Sequence, residues 1–206
     1  MTGPIEFDIA LSVGTKCRTA YQLRRVFGDA APAGLFDWQK TPLPALAFAI
    51  RGNFTGMFER RDLVLSDHGT VRNRRLGTRH PHEFPNPADL AVLDGHYATA
   101  RSRHDHLAAR MRELFNGKRR LLLCFSKRLP TLYVAVIRLL IRRHYPALKF
   151  ILLNGPRGDI VTQRDTDDGW QGTDSIWDAH LANYGAASGF ATEDGDRPSI
   201  ETAGAR

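Results

Sequence analysis

The chain has 206 residues, of which 42% are hydrophobic and 25% are charged, and these values suit one globular domain with a buried core. Its two cysteines form no disulfide framework, no apolar run approaches the roughly 20 residues that span a bilayer, and the first residues lack the order of a signal peptide, so we expect a cytoplasmic protein without a membrane span. The net charge of +7 is spread along the chain without zinc-finger spacing or an RNP-type aromatic motif, which does not favour nucleic acid as a partner.

The first strand and helix place a cysteine where thiols become reactive. Residues 7–13 alternate in hydrophobicity as a strand does, a turn of small residues follows, and residues 17–26 carry apolar side chains at helical spacing. Cys17 therefore falls at the amino end of a helix, where unsatisfied N–H groups and the positive end of the helix dipole stabilise a thiolate. Lys16 and Arg18 add positive charge beside it. The pattern predicts a nucleophilic cysteine with a depressed pKa.

The segments after this helix contribute a carboxylate and a group of arginines. Asp37 stands between two aromatic residues, and two interpretations of it stay open: it caps a helix or turn, or it orients a catalytic histidine. A helix is predicted over residues 42–50. Residues 59–79 are mostly polar, with one short strand and an arginine-rich turn that forms either a solvated face or an anion-binding rim.

The segment at residues 79–87 contains two histidines, a carboxylate and three prolines. The prolines exclude a regular helix, and rigid loops of this kind often carry function. His82 is the candidate general base, and the alternative is an exposed histidine without a chemical role. Glu83 could orient His82 only by folding back, because adjacent residues of an extended chain point to opposite faces. Asp37 is at least as good a candidate for that task.

Helical periodicity over residues 87–115 predicts one long helix or two stacked ones, which carry three histidines. Their spacing does not match the H-E-x-x-H or paired Cys/His patterns of zinc sites, so we expect no metal. The chain contains neither G-x-x-x-x-G-K-[ST] nor G-x-G-x-x-G, and we expect no cofactor. The arginine that tyrosine phosphatases use six positions after their cysteine is replaced by Leu23.

The second half of the chain predicts the fold. Residues 120–125 and 148–153 are continuous apolar runs typical of buried parallel strands, and a strong helix over 130–144 joins them. Strand, helix and strand in this order form a parallel crossover. We therefore predict an α/β fold of three layers, in which a mainly parallel sheet, including residues 7–13, has helices on both faces.

The chain ends in a short helix and a polar segment. Trp170 and Trp177 are seven residues apart and so share one face of a predicted helix that runs to about residue 184. From residue 185 onward the composition is too polar to order itself. We predict a single domain of the catalytic α/β type over residues 1–184 and a flexible tail over 185–206.

Several of these motifs resemble those of a bacterial family described as papain-like cysteine peptidases. LSVGTKC at 11–17 and LFDW at 35–38 are similar to the family's S-L-G-x-x-C and P-F-D-W blocks, and HPHEF at 80–84 is similar to its H-D-F block. The resemblance covers most of the chain. It departs from the family at Leu35, where the family has proline, and at Glu83, where it has aspartate.

The resemblance implies a cysteine-dependent enzyme with Cys17 as the nucleophile and His82 as the base, and a papain-like α+β fold as the alternative architecture. We expect a hydrolase or acyl transferase that acts on a peptide, acyl or anionic small-molecule substrate, with Asp37 as the candidate third catalytic residue. The candidate oxyanion or substrate-binding residues are Ser12, Gly14, Lys16, Arg18 and Trp38. The alternative function is a non-catalytic module that binds an anionic sugar or nucleotide through its arginines.

Overall fold

Seven strands and five α-helices make up the part of the chain that the structure, a computed structural model, describes: residues 3–14, 16–85, 87–159 and 171–187. In chain order the elements are β1 (Ile5–Phe7), β2 (Ile9–Ser12), α1 (Arg18–Phe27), α2 (Leu43–Arg51), β3 (Leu63–Leu65), β4 (Val71–Asn73), α3 (Leu90–Asn116), β5 (Arg120–Cys124), α4 (Thr131–His144), β6 (Lys149–Leu153), α5 (Asp174–Leu181) and β7 (Tyr184–Ala186). Short 3₁₀ helices lie at Gly28–Ala30 and Arg60–Asp62.

A parallel sheet of three strands, in the order β2-β5-β6, forms the centre of the fold. Strand β5 pairs in parallel with both neighbours, so that Leu123 lies opposite Leu11 on one side and Leu152 on the other. Helix α4 connects β5 to β6, which confirms the predicted parallel crossover. The mixed α/β class with mainly parallel strands is therefore as predicted, and the parallel pairing of β2, β5 and β6 does not favour the papain-like α+β alternative.

Strand β5 contributes to two separate parts of the core. Leu121 and Leu123 belong to one hydrophobic cluster, and Leu122 and Cys124 belong to another, because successive residues of a strand face opposite sides. Helices α2, α3 and α4 supply the first cluster, while α1 and α5 supply the second. All four strand residues are fully buried, which explains why β5 has a continuous apolar sequence.

Strand β1 pairs in parallel with β7. Asp8 separates β1 from β2, and its carboxylate accepts a 2.6 Å hydrogen bond from the Arg120 backbone N–H at the start of β5. The predicted flexible tail began at residue 185, but Gly185 and Ala186 belong to β7, so the ordered domain extends further than predicted. Residues 188–206 and Trp170 lie outside the described residues.

Strands β3 and β4 form an antiparallel hairpin that shares a third hydrophobic cluster with α3. The sequence predicted one strand and an arginine-rich turn in this region, but Val71 and Asn73 of β4 are buried and pair with β3. The prediction misses β4 because the exposed Arg72 between them interrupts the apolar pattern. Helix α3 is a single helix, and its N-cap Asp89 accepts a 2.7 Å hydrogen bond from the Val92 N–H.

The helices of the described ranges do not include one that combines the length and the apolar character needed to cross a membrane. Helix α3 is long, with 27 residues, but charged side chains occur throughout it. Helix α4 is more apolar, but it has 14 residues and Arg138 lies in its middle, as the sequence indicated.

Candidate functional site

Cys17 lies at the amino end of α1, directly after the loop that follows β2. Its carbonyl accepts a hydrogen bond of 3.3 Å from the Tyr21 N–H, so its backbone already belongs to the first helical turn. The side chain is partly exposed. This is the placement that the sequence predicted, beyond the carboxyl end of a parallel strand, where open α/β sheets put their ligands.

Gly14 shapes the loop that leads to Cys17. Its φ is +95°, and a Cβ at this position would lie 3.0 Å from the Cβ of Thr41, so both conformation and space require glycine. Ser12 and Thr41 are buried beside this loop, and their hydroxyls have no hydrogen-bond partner among the described residues. Because buried hydroxyls normally have partners, a water molecule or a bound group is expected to use them.

The two cysteines differ in environment. Cys124 is fully buried in β5, and burial raises the pKa of its thiol well above the usual range. Cys17 is partly exposed, and neither residue is in a disulfide. A reagent in solution therefore reaches Cys17 and not Cys124, which is a small residue of the hydrophobic core.

Asp37 binds Arg24 of α1. Its buried carboxylate forms an ion pair with the Arg24 guanidinium and accepts a 2.8 Å hydrogen bond from the Gly34 N–H. Burial raises the pKa of Asp37 to about 6, while the Arg24 charge and the Gly34 N–H act in the opposite direction. Among the described residues no histidine contacts Asp37, and its contacts match the interpretation in which the carboxylate caps a turn.

Trp38 contacts both Arg24 of α1 and His82. The Arg24 guanidinium lies over the indole ring, 5.7 Å from its centroid, and the His82 ring meets the same side chain edge to face, with 5.9 Å between the centroids. Arg24 is two helical turns after Cys17, so the two share one face of α1 and are about 10 Å apart along its axis. Trp38 thus contacts both His82 and Arg24, and Arg24 lies two helical turns after Cys17.

His82 is an exposed histidine that stays neutral at pH 7. Partial burial of the ring lowers the pKa of His82 because the charged form loses hydration. The positive charge of Lys40 lowers it further. Neutral imidazole is the form that accepts a proton. Within the described part of the chain no carboxylate is hydrogen-bonded to His82, and Glu83 pairs instead with Arg103 at 3.2 Å.

Arg18 is buried, although the sequence indicated a substrate-binding residue. Its side chain is 3% exposed and donates a 3.0 Å hydrogen bond to the Asp159 carboxylate, which also accepts one of 3.1 Å from the Trp177 indole. Arg18 therefore links the start of α1 to the loop after β6 and, through Asp159 and Trp177, to α5. Lys16 is partly exposed and lies directly before Cys17, where the sequence placed a positive charge.

Two further histidines, one from segment 79–87 and one from α3, line a small cavity beside Trp38. His80 and His104 are both buried, and burial lowers their pKa values to about 3 and about 4. The cavity measures about 20 Å³, room for one water molecule. Both His104 ring nitrogens and the Gln39 side-chain nitrogen have no partner among the described residues.

The described ranges hold no group of three or more His, Cys, Asp or Glu side chains arranged for a metal ion. No protein-family model, curated protein or solved structure matches the chain. Fold and site together define the class: a mainly parallel α/β protein with a partly exposed cysteine at the amino end of its first helix.

Proposed function

We propose that the protein is a cysteine-dependent hydrolase or acyl transferase in which Cys17 is the nucleophile and His82 the general base. The observation that carries the proposal is the place of Cys17 at the amino end of α1, on the face whose Arg24 contacts Trp38, the side chain that His82 touches. Helix N–H groups and the helix dipole favour a thiolate at that position.

In the proposed reaction, neutral His82 takes the proton of the Cys17 thiol, and the thiolate attacks the carbonyl carbon of an ester, thioester or amide. The carbonyl oxygen becomes negative and accepts hydrogen bonds from backbone N–H groups at the start of α1. Collapse of this intermediate breaks the bond to the leaving group, which takes the proton from His82. Water, deprotonated by His82, then attacks the thioester and releases the acid and the free thiol.

The proposed pair operates without a carboxylate on the histidine. Trp38 restricts the orientation of the His82 ring, and Asp37 acts indirectly, since it holds Arg24 against Trp38. We therefore assign Asp37 as a positioning residue rather than as a member of a catalytic triad.

Acetyl transfer from 4-nitrophenyl acetate tests the proposal. We expect release of 4-nitrophenolate and one acetyl group on Cys17, located by peptide mass spectrometry. Cys17→Ala should abolish both signals, and His82→Ala should slow acetylation about 10²- to 10⁴-fold, the usual contribution of a general base. His96→Ala, which changes an exposed histidine of α3, is the matched control and should keep the wild-type rate.

Iodoacetamide supplies a second readout that needs no substrate. It should alkylate Cys17 at mildly acidic pH and reach Cys124 only after denaturation, because Cys124 is fully buried. Equal, slow labelling of both thiols, together with acetylation that survives Cys17→Ala, would leave the anion-binding module as the better proposal.

A further inference from the structure

Three cations lie side by side on the exposed face of a small antiparallel sheet around β4. Arg79 forms one antiparallel bridge with Arg72 of β4 and another with Lys40. All three side chains are exposed. We call Lys40, Arg72 and Arg79 the cation row.

Backbone hydrogen bonds fix the cation row on one face. Lys40 and Arg79 exchange both N–H···O bonds, at 2.8 and 3.0 Å. Arg72 and Arg79 face each other between two flanking bonds of 2.8 and 2.9 Å. Directly opposed residues project to the same side, with Cα atoms about 5.5 Å apart in the first kind of pair and about 4.5 Å apart in the second. The neighbours on the opposite, buried face are Val71, Asn73, Thr78 and His80.

The charges of the cation row repel one another, and the described residues give the row no acidic partner. Like charges directly opposite each other destabilise a sheet. Nearby arginines of the described chain pair with carboxylates, as Arg75 does with Asp62, but no ion pair includes a residue of the cation row. An anion bound across the row removes this repulsion, and guanidinium groups present several N–H donors to carboxylate or phosphate oxygens.

The cation row adjoins the proposed base. Lys40 follows Trp38 by two residues, Trp38 contacts His82, and the Lys40 charge is close enough to lower the pKa of the His82 ring. We propose that the cation row binds an anionic group, a carboxylate or a phosphate, on the substrate whose acyl group is transferred to Cys17. This inference rests on the proposed function and names its substrate class.

The size of the cation row suits a small anion. Its outer Cα atoms are separated by about 10 Å, the sum of two cross-strand spacings, which matches one or two anionic groups. Proteins that bind duplex DNA through its backbone commonly make about 6–10 phosphate contacts. Three cations supply a fraction of that number, so a small anionic substrate is the favoured occupant.

Anion binding to the Cys17→Ala protein tests the cation row without any chemistry. Inorganic phosphate and succinate are titrated by calorimetry at constant ionic strength, with chloride as the reference anion. We expect saturable binding that Arg79→Gln weakens at least tenfold, whereas Arg138→Gln, on the exposed side of α4, should keep the parent affinity. Preference for phosphate or for succinate then identifies the anionic group.

Thermal melting distinguishes a cation row that binds an anion from one that has only a structural role. Without anion, Arg79→Gln should melt at a higher temperature than its parent because the repulsion is relieved, and phosphate should stabilise the parent more than the variant. Any of three results would overturn the inference. These are equal anion affinities in Arg79→Gln and its parent, no saturable binding of phosphate or succinate, and binding of a DNA duplex alone.

A kinetic comparison distinguishes failure of the cation row from failure of the catalytic proposal. With active protein, Arg79→Gln should lower kcat/KM for anionic 4-nitrophenyl hemisuccinate at least tenfold more than it lowers kcat/KM for neutral 4-nitrophenyl acetate. Turnover of both esters without this selective loss overturns the anion assignment and leaves Cys17 as the nucleophile. Anion binding through Arg79 without acylation by either ester overturns the catalytic proposal and supports the anion site.

Discussion

Asp37 is a buried carboxylate whose charge depends on Arg24. Removing one partner of a buried ion pair leaves the other charge without compensation. Since Arg24 is partly exposed and screened by solvent, we expect Arg24→Gln to lower the free energy of unfolding at pH 7 by about 1–3 kcal/mol, measured by urea denaturation.

The pH dependence of this loss gives a further check. Burial raises the pKa of Asp37 from 3.8 to about 6, so between these values the folded state holds more protons than the unfolded state and stability falls as pH rises. Without Arg24 the pKa rises further, and the loss should be larger at pH 7 than at pH 5. Combining Arg24→Gln with Asp37→Asn removes the buried charge and should recover most of the stability; an undiminished loss in the double variant would contradict the argument.

Residue positions were predictable where the pattern is local. The turn of small residues and the helical periodicity after it place Cys17 correctly, because both depend on residues close in sequence. The partner of Asp37 was not predictable in this way, since Arg24 reaches it from a separate element. The contact between Trp38 and His82 is likewise tertiary, and no spacing in the sequence indicates it.

At the scale of elements, aromatic and histidine rings join α3 to the segments around the β3–β4 hairpin. His104 of α3 stacks on Phe58 with 4.8 Å between the ring centroids, and His80 meets Phe58 edge to face at 4.9 Å. Burial lowers the pKa of both histidines, and the charge of His104 also disfavours a charge on His80. Both rings are therefore neutral at pH 7.

Acid should weaken the contact between α3 and the hairpin region. The unfolded chain protonates His104 near pH 6.5 and the folded chain near pH 4, so stability is lost as pH falls through this window, by about 2 kcal/mol at pH 5. His104→Phe keeps a packed ring without a titrating group and should flatten the dependence of urea unfolding on pH between 7 and 5. His106→Phe, exposed on the same helix, is the control, and identical slopes in His104→Phe and wild type would disprove this account.

Length and apolar character together decided whether an element could be predicted from its sequence, since the short but fully apolar β3 was predicted. Helices α1, α2 and α4 were predicted within a residue or two, because caps, prolines and periodicity act over many positions. Strands β4 and β7 have three residues each, and one contains an arginine and the other a glycine. These short strands are stabilised by the strands with which they pair. A sequence of three residues does not indicate that pairing.

At the scale of the whole molecule, the parallel sheet followed from burial on both faces. The apolar runs of β5 and β6 and the helix between them predicted adjacent parallel strands. The position of β2 beside β5 follows no rule of chain order, because helices α1 to α3 and the hairpin intervene between them. The pairing of β1 with β7, which brings residue 5 beside residue 184, is a contact of the same kind.

Asp159, in the loop after β6, forms a buried ion pair with Arg18 and so offsets the positive charge next to the Cys17 thiol. Asp159, 141 residues from Arg18 in the chain, neutralises a positive charge immediately next to Cys17. In Asp159→Asn the Arg18 charge loses this buried partner, so we expect faster alkylation of Cys17 by iodoacetamide at pH 6, together with a loss of about 3–5 kcal/mol of stability from the broken buried pair.

Asp178→Asn, which removes an exposed carboxylate of α5 that pairs with Arg25 of α1, is the control and should leave the alkylation rate unchanged. A rate in Asp159→Asn equal to that of the wild type would show that Arg18 does not act on the thiol. If the rate rises as expected, the acidity of the proposed nucleophile depends on a residue 141 positions away from Arg18 in the chain, outside the site where a substrate would bind.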